Sequence, residues 1–361
     1  MSGGVDSTVA AALLLDEYDV TGVTMRLFTN EEIQLDEHKS CCSLEDVEDA
    51  RSAAAKLGIR HYVFNFGDRF RECVIDRFNN AYINGQTPNP CIDCNRFIKF
   101  NELLKRASEL GMDYIATGHY VRRCYNGETG RWQLKTGADM SKDQSYVLYS
   151  MTQEQLSRTL FPVGELTKAQ TRELAASMQL VNAQKPDSQD ICFVPDGDYA
   201  GFIERYTGIQ FPSGNFIDRN GTILGQHRGI IRYTVGQRKG LGIALGEPAY
   251  VISKDSSDNT VVLGSNKELF HDTAFAQDVN WVSAPCPDKP VRVTAKIRYN
   301  HTAQPGTLYP LDEGSVSLVF DEPQRAIAIG QALVFYQGEL LLGGGCITAY
   351  GDKGCKQSRC Y

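Results

Sequence analysis

The chain has 361 residues, 42% of them hydrophobic and 22% charged, with a formal net charge of −7. This length allows two or three domains with sizeable cores, and the composition excludes a disordered or low-complexity chain. No apolar run approaches the roughly 18 residues that span a bilayer and no basic-then-apolar leader precedes Ser2, so the expected setting is the cytoplasm, without membrane contact, where eleven cysteines read as thiols, metal ligands or redox groups before disulfides.

Ser2-Gly-Gly-Val-Asp-Ser7 comes first. Two glycines let backbone approach a phosphate, and a helix expected over Thr8–Asp16 points its amides and positive dipole end at the anion. Ser2 and Ser7 add hydroxyl donors. No Lys-Ser/Thr pair ends the loop, so it is not the GxxxxGK[ST] type. Such a loop ordinarily follows a buried strand, and here only Met1 precedes it. The aliphatic side chains of a central strand contribute about 5–9 kcal/mol, against a total stability of about 5–15. Either the start lies further upstream or the sheet is compromised.

Asp19–Met25 reads as a short buried strand, Asp46–Leu57 as a helix closed by Gly58, His61–Phe66 as a strand and Arg69–Ile83 as a helix. Between them, residues 31–50 carry eight acids against Lys39, and this window alone sums to −7. The rest of the chain is therefore balanced. Basic stretches at 226–246 (Arg228, Arg232, Arg238, Lys239) and 289–311 (Lys289, Arg292, Lys296, Arg298) contain no acid and offer local positive surface to phosphate.

Asn89-Pro-Cys-Ile-Asp-Cys-Asn-Arg-Phe-Ile-Lys-Phe100 follows. Asn89 can cap and Pro90 open a helix running through Asn95–Leu110. Cys94 then falls in the first turn, where the amide dipole favours the nucleophilic thiolate. Zinc is the lesser reading, because a second C-x-x-C and histidines at ligand spacing are absent, and the adjacent Cys41-Cys42 pair suits a tetrahedral metal poorly. An iron–sulfur cluster on Cys91, Cys94 and Cys192, with one iron position free, stays open as an alternative. Tyr114–Thr117 reads as a strand ending at Gly118-His119, the end at which α/β ligands bind. Capping boxes at Thr152 and Thr167 start two further helices.

Cys192, in Asp187-Ser-Gln-Asp-Ile-Cys-Phe193, is a sulfur-carrier candidate once paired with Cys94. Lys142-Asp143-Gln144, Gly236-Gln-Arg-Lys-Gly240 and Arg298-Tyr299 as a group suit contact with phosphates and base edges. Past Asp198 the pattern changes to short β-branched runs: Ala249–Ser253, Thr260–Leu263, Val291–Tyr299, Ser315–Phe320 and Ala332–Tyr336. The expected division is an α/β domain over 1–198 with a doubly wound parallel sheet, a small β domain over 199–269, a β barrel over 270–350 and a loose tail over 351–361.

On these residues the chain resembles the tRNA-specific 2-thiouridylase family. The segments that carry the resemblance are Ser2–Ser7, Thr87–Phe100, Ala116-Thr-Gly-His-Tyr120, Lys142–Tyr146, Lys185–Phe193, Tyr233–Gly240, Lys296-Ile-Arg-Tyr299 and Gly343-Gly-Gly. The resemblance implies a pyrophosphatase-type α/β domain, a central β domain and a C-terminal barrel. It implies ATP-dependent thiolation of the wobble uridine, with magnesium, and two partners: the tRNA anticodon stem-loop and a protein that donates persulfide sulfur. Met1, Ser2, Gly3, Gly4, Val5, Asp6, Ser7, Met25 and Gly118 match the ATP site. Cys94 matches the nucleophile and Cys192 the persulfide carrier. Asn89, Pro90 and Cys91 match the target-base loop, and His119, Lys142, Asp143, Gln144, Arg298, Tyr299 and Gln331 match tRNA contacts. Three positions depart from the pattern: the first strand and the Gly before Met1 are missing, Cys91 stands where some members have Asp, and Ile329-Gly-Gln331 replaces Pro-Gly-Gln.

Overall fold

The computed structural model describes residues 1–29, 31–33, 44–180, 182, 191–312 and 314–352. Cys41, Cys42, the motif residues 185–190, Cys355, Cys360 and the tail from 353 onward lie outside the described residues.

Helix α1 (Val5–Ala12) begins earlier than the sequence suggested, because extended Gly4 serves as its N-cap. Thr8, Val9, Ala10 and Ala11 then turn inward. Strands β1 (Thr21–Arg26) and β2 (Arg60–Asn65) pair in parallel, with Thr21 opposite Arg60. Helix α2 (Leu44–Leu57) lies in the connection between them, the kind of crossover that parallel strands need. Strand β3 (Ile115–Ala116) leads to a hairpin of β4 (Val121–Asn126) and β5 (Arg131–Thr136). Strand β6 (Thr159–Leu160) returns to pair with β3 in parallel.

The expected doubly wound sheet is therefore present as two separate parallel pairs, β1–β2 and β3–β6. Met1 lies along β1: its nitrogen donates to the Val23 carbonyl, and its carbonyl accepts from Thr24 Oγ1 at 2.7 Å. The β4–β5 hairpin belongs elsewhere, since β5 pairs with the barrel strand at Leu340 and Leu341. The two helices with sequence-legible capping boxes start as expected at Thr152 and Thr167.

The middle unit starts with the helix Tyr199–Thr207, whose first turn is capped by the Asp198 carboxylate. Its sheet holds β7 (Gly214–Ile217), β8 (Ile223–His227), β9 (Tyr250–Asp255) and β10 (Thr260–Gly264) in the order β8-β7-β10-β9. One apolar cluster joins this unit to the first: Phe70, Phe78 and Phe193 pack with Phe202, Phe216 and Val251. Burying a large side chain of this kind contributes about 1.5–3 kcal/mol, so the two units stabilise each other.

Six strands form the last unit: β11 (Phe270–Trp281), β12 (Val291–Lys296), β13 (Gln304–Asp312), β14 (Ser315–Arg325), β15 (Ala332–Gln337) and β16 (Leu340–Gly351). They run in the order β11-β14-β13-β12-β15-β16, and β16 pairs back onto β11. The barrel is closed, which leaves its strands no free edge. Ala295, Leu318, Phe320 and Phe335 fill it. The β11–β16 register shifts between Gln277 and Asn280, and Asp278 in that bulge has a φ of 52°.

Candidate functional site

The loop Ser2–Ser7 is tied down from several directions. Gly3 adopts a φ of 71°, a conformation that favours glycine. The Ser2 amide donates to Ser7 Oγ at 3.1 Å, and Ser7 Oγ donates to the Gly4 carbonyl at 3.1 Å. Gly118, at the end of β3, lies against the loop so closely that a Cβ there would sit 2.7 Å from Asp6 C and 2.8 Å from the Ser7 nitrogen. The strand end expected at a ligand site therefore abuts the loop. Met25 lies on β1 and packs at the margin of the aromatic core.

Two bracing residues escaped the sequence reading. Buried Asn182 donates its amide to Gly3 O at 3.1 Å, Gly4 O at 3.2 Å and Thr8 Oγ1 at 2.8 Å. Lys168 Nζ sits 2.8 Å from both carboxylate oxygens of Asp6. Neither is legible locally, because each meets the loop from more than 160 residues away.

The cysteine helix starts as the sequence suggested. Asn89 Oδ1 accepts from the Cys91 amide at 3.1 Å, and Pro90 occupies the first turn. The helix winds normally over Pro90–Asp93, then widens into a π-helix over Cys94–Glu102, where the Leu103 amide reaches back five residues to Ile98 O. It narrows again over Leu103–Glu109. Such wide turns are rare; this one begins at Cys94, and a second spans Arg71–Ile75 in the same unit.

Cys94 does not carry the thiolate that its place near the helix start suggested. It is buried, and burial pushes its thiol up to about 11 from 9.0; Cys91 and Asp93 push the same way, and Lys99 opposes them. Cys94 lies within the aromatic core, and Cys192 packs against that same cluster. The fold thus brings the two candidate sulfur residues to one core. Cys91, by contrast, is exposed. Among the described residues no three His, Cys, Asp or Glu side chains converge to hold a metal. In this conformation Cys91, Cys94 and Cys192 do not form such a set.

The barrel grips this helix and the loop before it. Arg96 forms a two-pronged ion pair with Asp278, with Nη2 3.2 Å from Oδ1. The Thr87 amide donates to Ile329 O at 2.9 Å, and Gln331 Nε2 donates to Thr87 O at 2.9 Å.

The polar residues matched to tRNA divide in two. Arg298 is exposed, Tyr299 is 38% exposed, and Lys142 is half-buried. Tyr299 packs edge-on to Tyr146, and its phenol is raised by burial, then by Asp143 and Cys91.

The other four turn inward. His119 is buried against Phe100 and Phe161, bonded to Thr117 Oγ1 at 2.8 Å, and pushed well below the usual histidine range by burial and by Lys99. Asp143 accepts from the Gly137 and Ser145 amides, and Gln144 Oε1 accepts from the Tyr120 amide at 3.0 Å. Gln331 is engaged with Thr87. In this conformation these four brace the site.

Three family models match the chain. They are described as a tRNA methyl transferase HUP domain over residues 1–196, a tRNA methyl transferase PRC-barrel domain over 200–265 and an aminomethyltransferase beta-barrel domain over 271–347. Among curated relatives, the tRNA-specific 2-thiouridylase MnmA of Acetivibrio thermocellus is 52% identical over 350 residues, covering 96% of this chain and 97% of its own. The protein of that name from Lachnoclostridium phytofermentans is 52% identical, covering 96% and 98%. The one from Carboxydothermus hydrogenoformans is 51% identical, covering 96% of each.

Proposed function

The chain belongs to the tRNA-specific 2-thiouridylase family, and from that premise we propose that it replaces the C2 oxygen of the wobble uridine of tRNA with sulfur, consuming ATP, in the cytoplasm. The observation that carries this reading is that Cys94 and Cys192 share one apolar core, in the unit whose first helix opens on the braced Ser2–Ser7 loop. The matching family models are named for methyl transfer and the relatives for thiolation; two cysteines on one core favour thiolation.

Ser2–Ser7, with Met1, Met25 and Gly118, would receive ATP. The wobble uridine leaves its stack, which a single-stranded anticodon loop makes inexpensive, and enters beside Asn89, Pro90 and Cys91. Its O2 attacks the α-phosphorus and the bond to pyrophosphate breaks. Loop amides and the α1 dipole stabilise the departing charge, to which magnesium arriving on the triphosphate would add.

A terminal persulfide sulfur on Cys192, supplied by a donor protein, attacks C2, and the C2–O bond breaks to release AMP. Cys94 Sγ then attacks Cys192 Sγ, its proton passing to the thiolated base as that base is released. The S–S bond breaks, its electron pair stays with the sulfur on C2, and a Cys94–Cys192 disulfide forms. A thiol reductant resets the pair. Arg298, Tyr299 and Lys142 face the tRNA.

Nucleoside mass spectrometry tests this. Cys94→Ser and Cys192→Ser should each abolish 2-thiouridine formation, and the double variant should be no worse, since members of one catalytic unit fail together. Turnover retained in Cys192→Ser would remove the persulfide step.

A further inference from the structure

Asp6 poses an electrostatic problem. It sits in the first turn of α1, the helix end that faces the proposed polyphosphate. A bare carboxylate there would repel the ligand that the loop amides attract. The fold answers with Lys168, which is only 8% exposed. Its Nζ approaches Asp6 Oδ1 and Oδ2 at 2.8 Å each. The Tyr120 hydroxyl donates to Asp6 Oδ1 at 2.7 Å and lies 3.0 Å from Thr171 Oγ1.

Lys168 is itself held in place. It is the first residue of the helix Lys168–Ser177, behind the Thr167 capping box, and its amide donates to Asp139 Oδ2 at 3.0 Å. A cation fixed by a helix cap and turned onto a carboxylate keeps that charge from being aimed at a ligand.

We propose that Lys168 is a positioning residue of the nucleotide loop, cancelling the charge of Asp6 and holding its carboxylate aside so that the α1 end can accept the triphosphate of ATP. The inference rests on the reading of Ser2–Ser7 as the ATP loop.

The test is equilibrium binding of magnesium-free ATP to the full chain and to three variants that change the charge of the pair: Lys168→Met (−1), Asp6→Asn (+1) and the double variant (0). Lys168→Met should weaken ATP binding at least ten-fold. The double variant should return to within about three-fold of wild type, and Asp6→Asn should bind at least as tightly as wild type. If Lys168 instead touches phosphate directly, the double variant stays at least ten-fold weaker than Asp6→Asn and wild type, and the proposal is overturned. That comparison decides even if Lys168→Met fails to fold. Wild-type protein that binds no ATP would sink the reading of the loop; normal wild-type binding with no loss in Lys168→Met would sink this inference alone.

Discussion

Cys94 should be slow to alkylate at neutral pH and become reactive only in strong alkali. Its thiol is held at about 11, against an ordinary 9.0, because it is buried in the aromatic core. At pH 8 a thiol at the ordinary value is roughly one-eleventh ionised, and one at about 11 roughly one-thousandth. The thiolate is the reacting form, so ionisation alone slows Cys94 by about 90-fold, before steric shielding. Brief iodoacetamide pulses between pH 7 and pH 11, followed by peptide mass spectrometry, would compare Cys94 with exposed Cys91 in the same sample. The shift also sets a stability window. A thiol raised above its unfolded value stabilises the native state below pH 9, and that contribution is lost as pH rises towards 11. Cys94→Ala should therefore flatten the loss of melting temperature over that range. Labelling of Cys94 as fast as Cys91, with a midpoint at or below 9, would refute the buried thiol and restore the simple helix-dipole picture.

Lys254→Met should stabilise the fold. The amine has no hydrogen-bond partner among the described residues, and burial lowers it to about 8 from 10.5. The penalty is about 3 kcal/mol, partly offset by the Tyr82 ring 5.8 Å away. A base depressed in the folded state carries its full penalty below pH 8 and loses it by 10.5. The variant should thus melt higher at pH 7, with no advantage at 10.5; an unchanged melting temperature at pH 7 would refute this. Gly118→Val should raise the KM for ATP more than ten-fold and spare tRNA binding, since any Cβ collides with the start of α1; an unchanged KM would mean the loop lies elsewhere. Arg298→Ala and Lys142→Ala should each lower the salt slope of tRNA binding by roughly 0.7, whereas Gln331→Ala should leave that slope alone; unchanged slopes in both cation variants would remove them from the interface.

What the sequence disclosed was mostly local. Asn89, Pro90 and the Thr152 and Thr167 boxes act within one helical turn, so their roles are written in adjacent residues. The closed barrel was foreshadowed by its β-branched runs. Two things were hidden for one reason: they depend on partners remote in the chain. The state of Cys94 depends on the core around it, and the first-turn amides that might have favoured a thiolate are already engaged, Cys91 N by the Asn89 side chain and Ile92 N by the Asn89 carbonyl. The clamp on Asp6 comes from Lys168. The β4–β5 hairpin deceived in another way. It lies within the α/β segment of the sequence, yet its strand pairing is with β16, and nothing in residues 121–136 announces that choice. Asp143, Gln144 and Gln331 showed that polar residues beside a motif can be spent on backbone amides and carbonyls.

The most direct measurement is the stoichiometry of a single thiolation reaction. Purified chain, unmodified tRNA, ATP and a persulfide donor should yield 2-thiouridine, AMP and pyrophosphate in a 1:1:1 ratio by mass spectrometry, with no 2-thiouridine when ATP is omitted. Thiolation at full rate without ATP, or with ADP and phosphate as the nucleotide products, would contradict activation of the base as an adenylate.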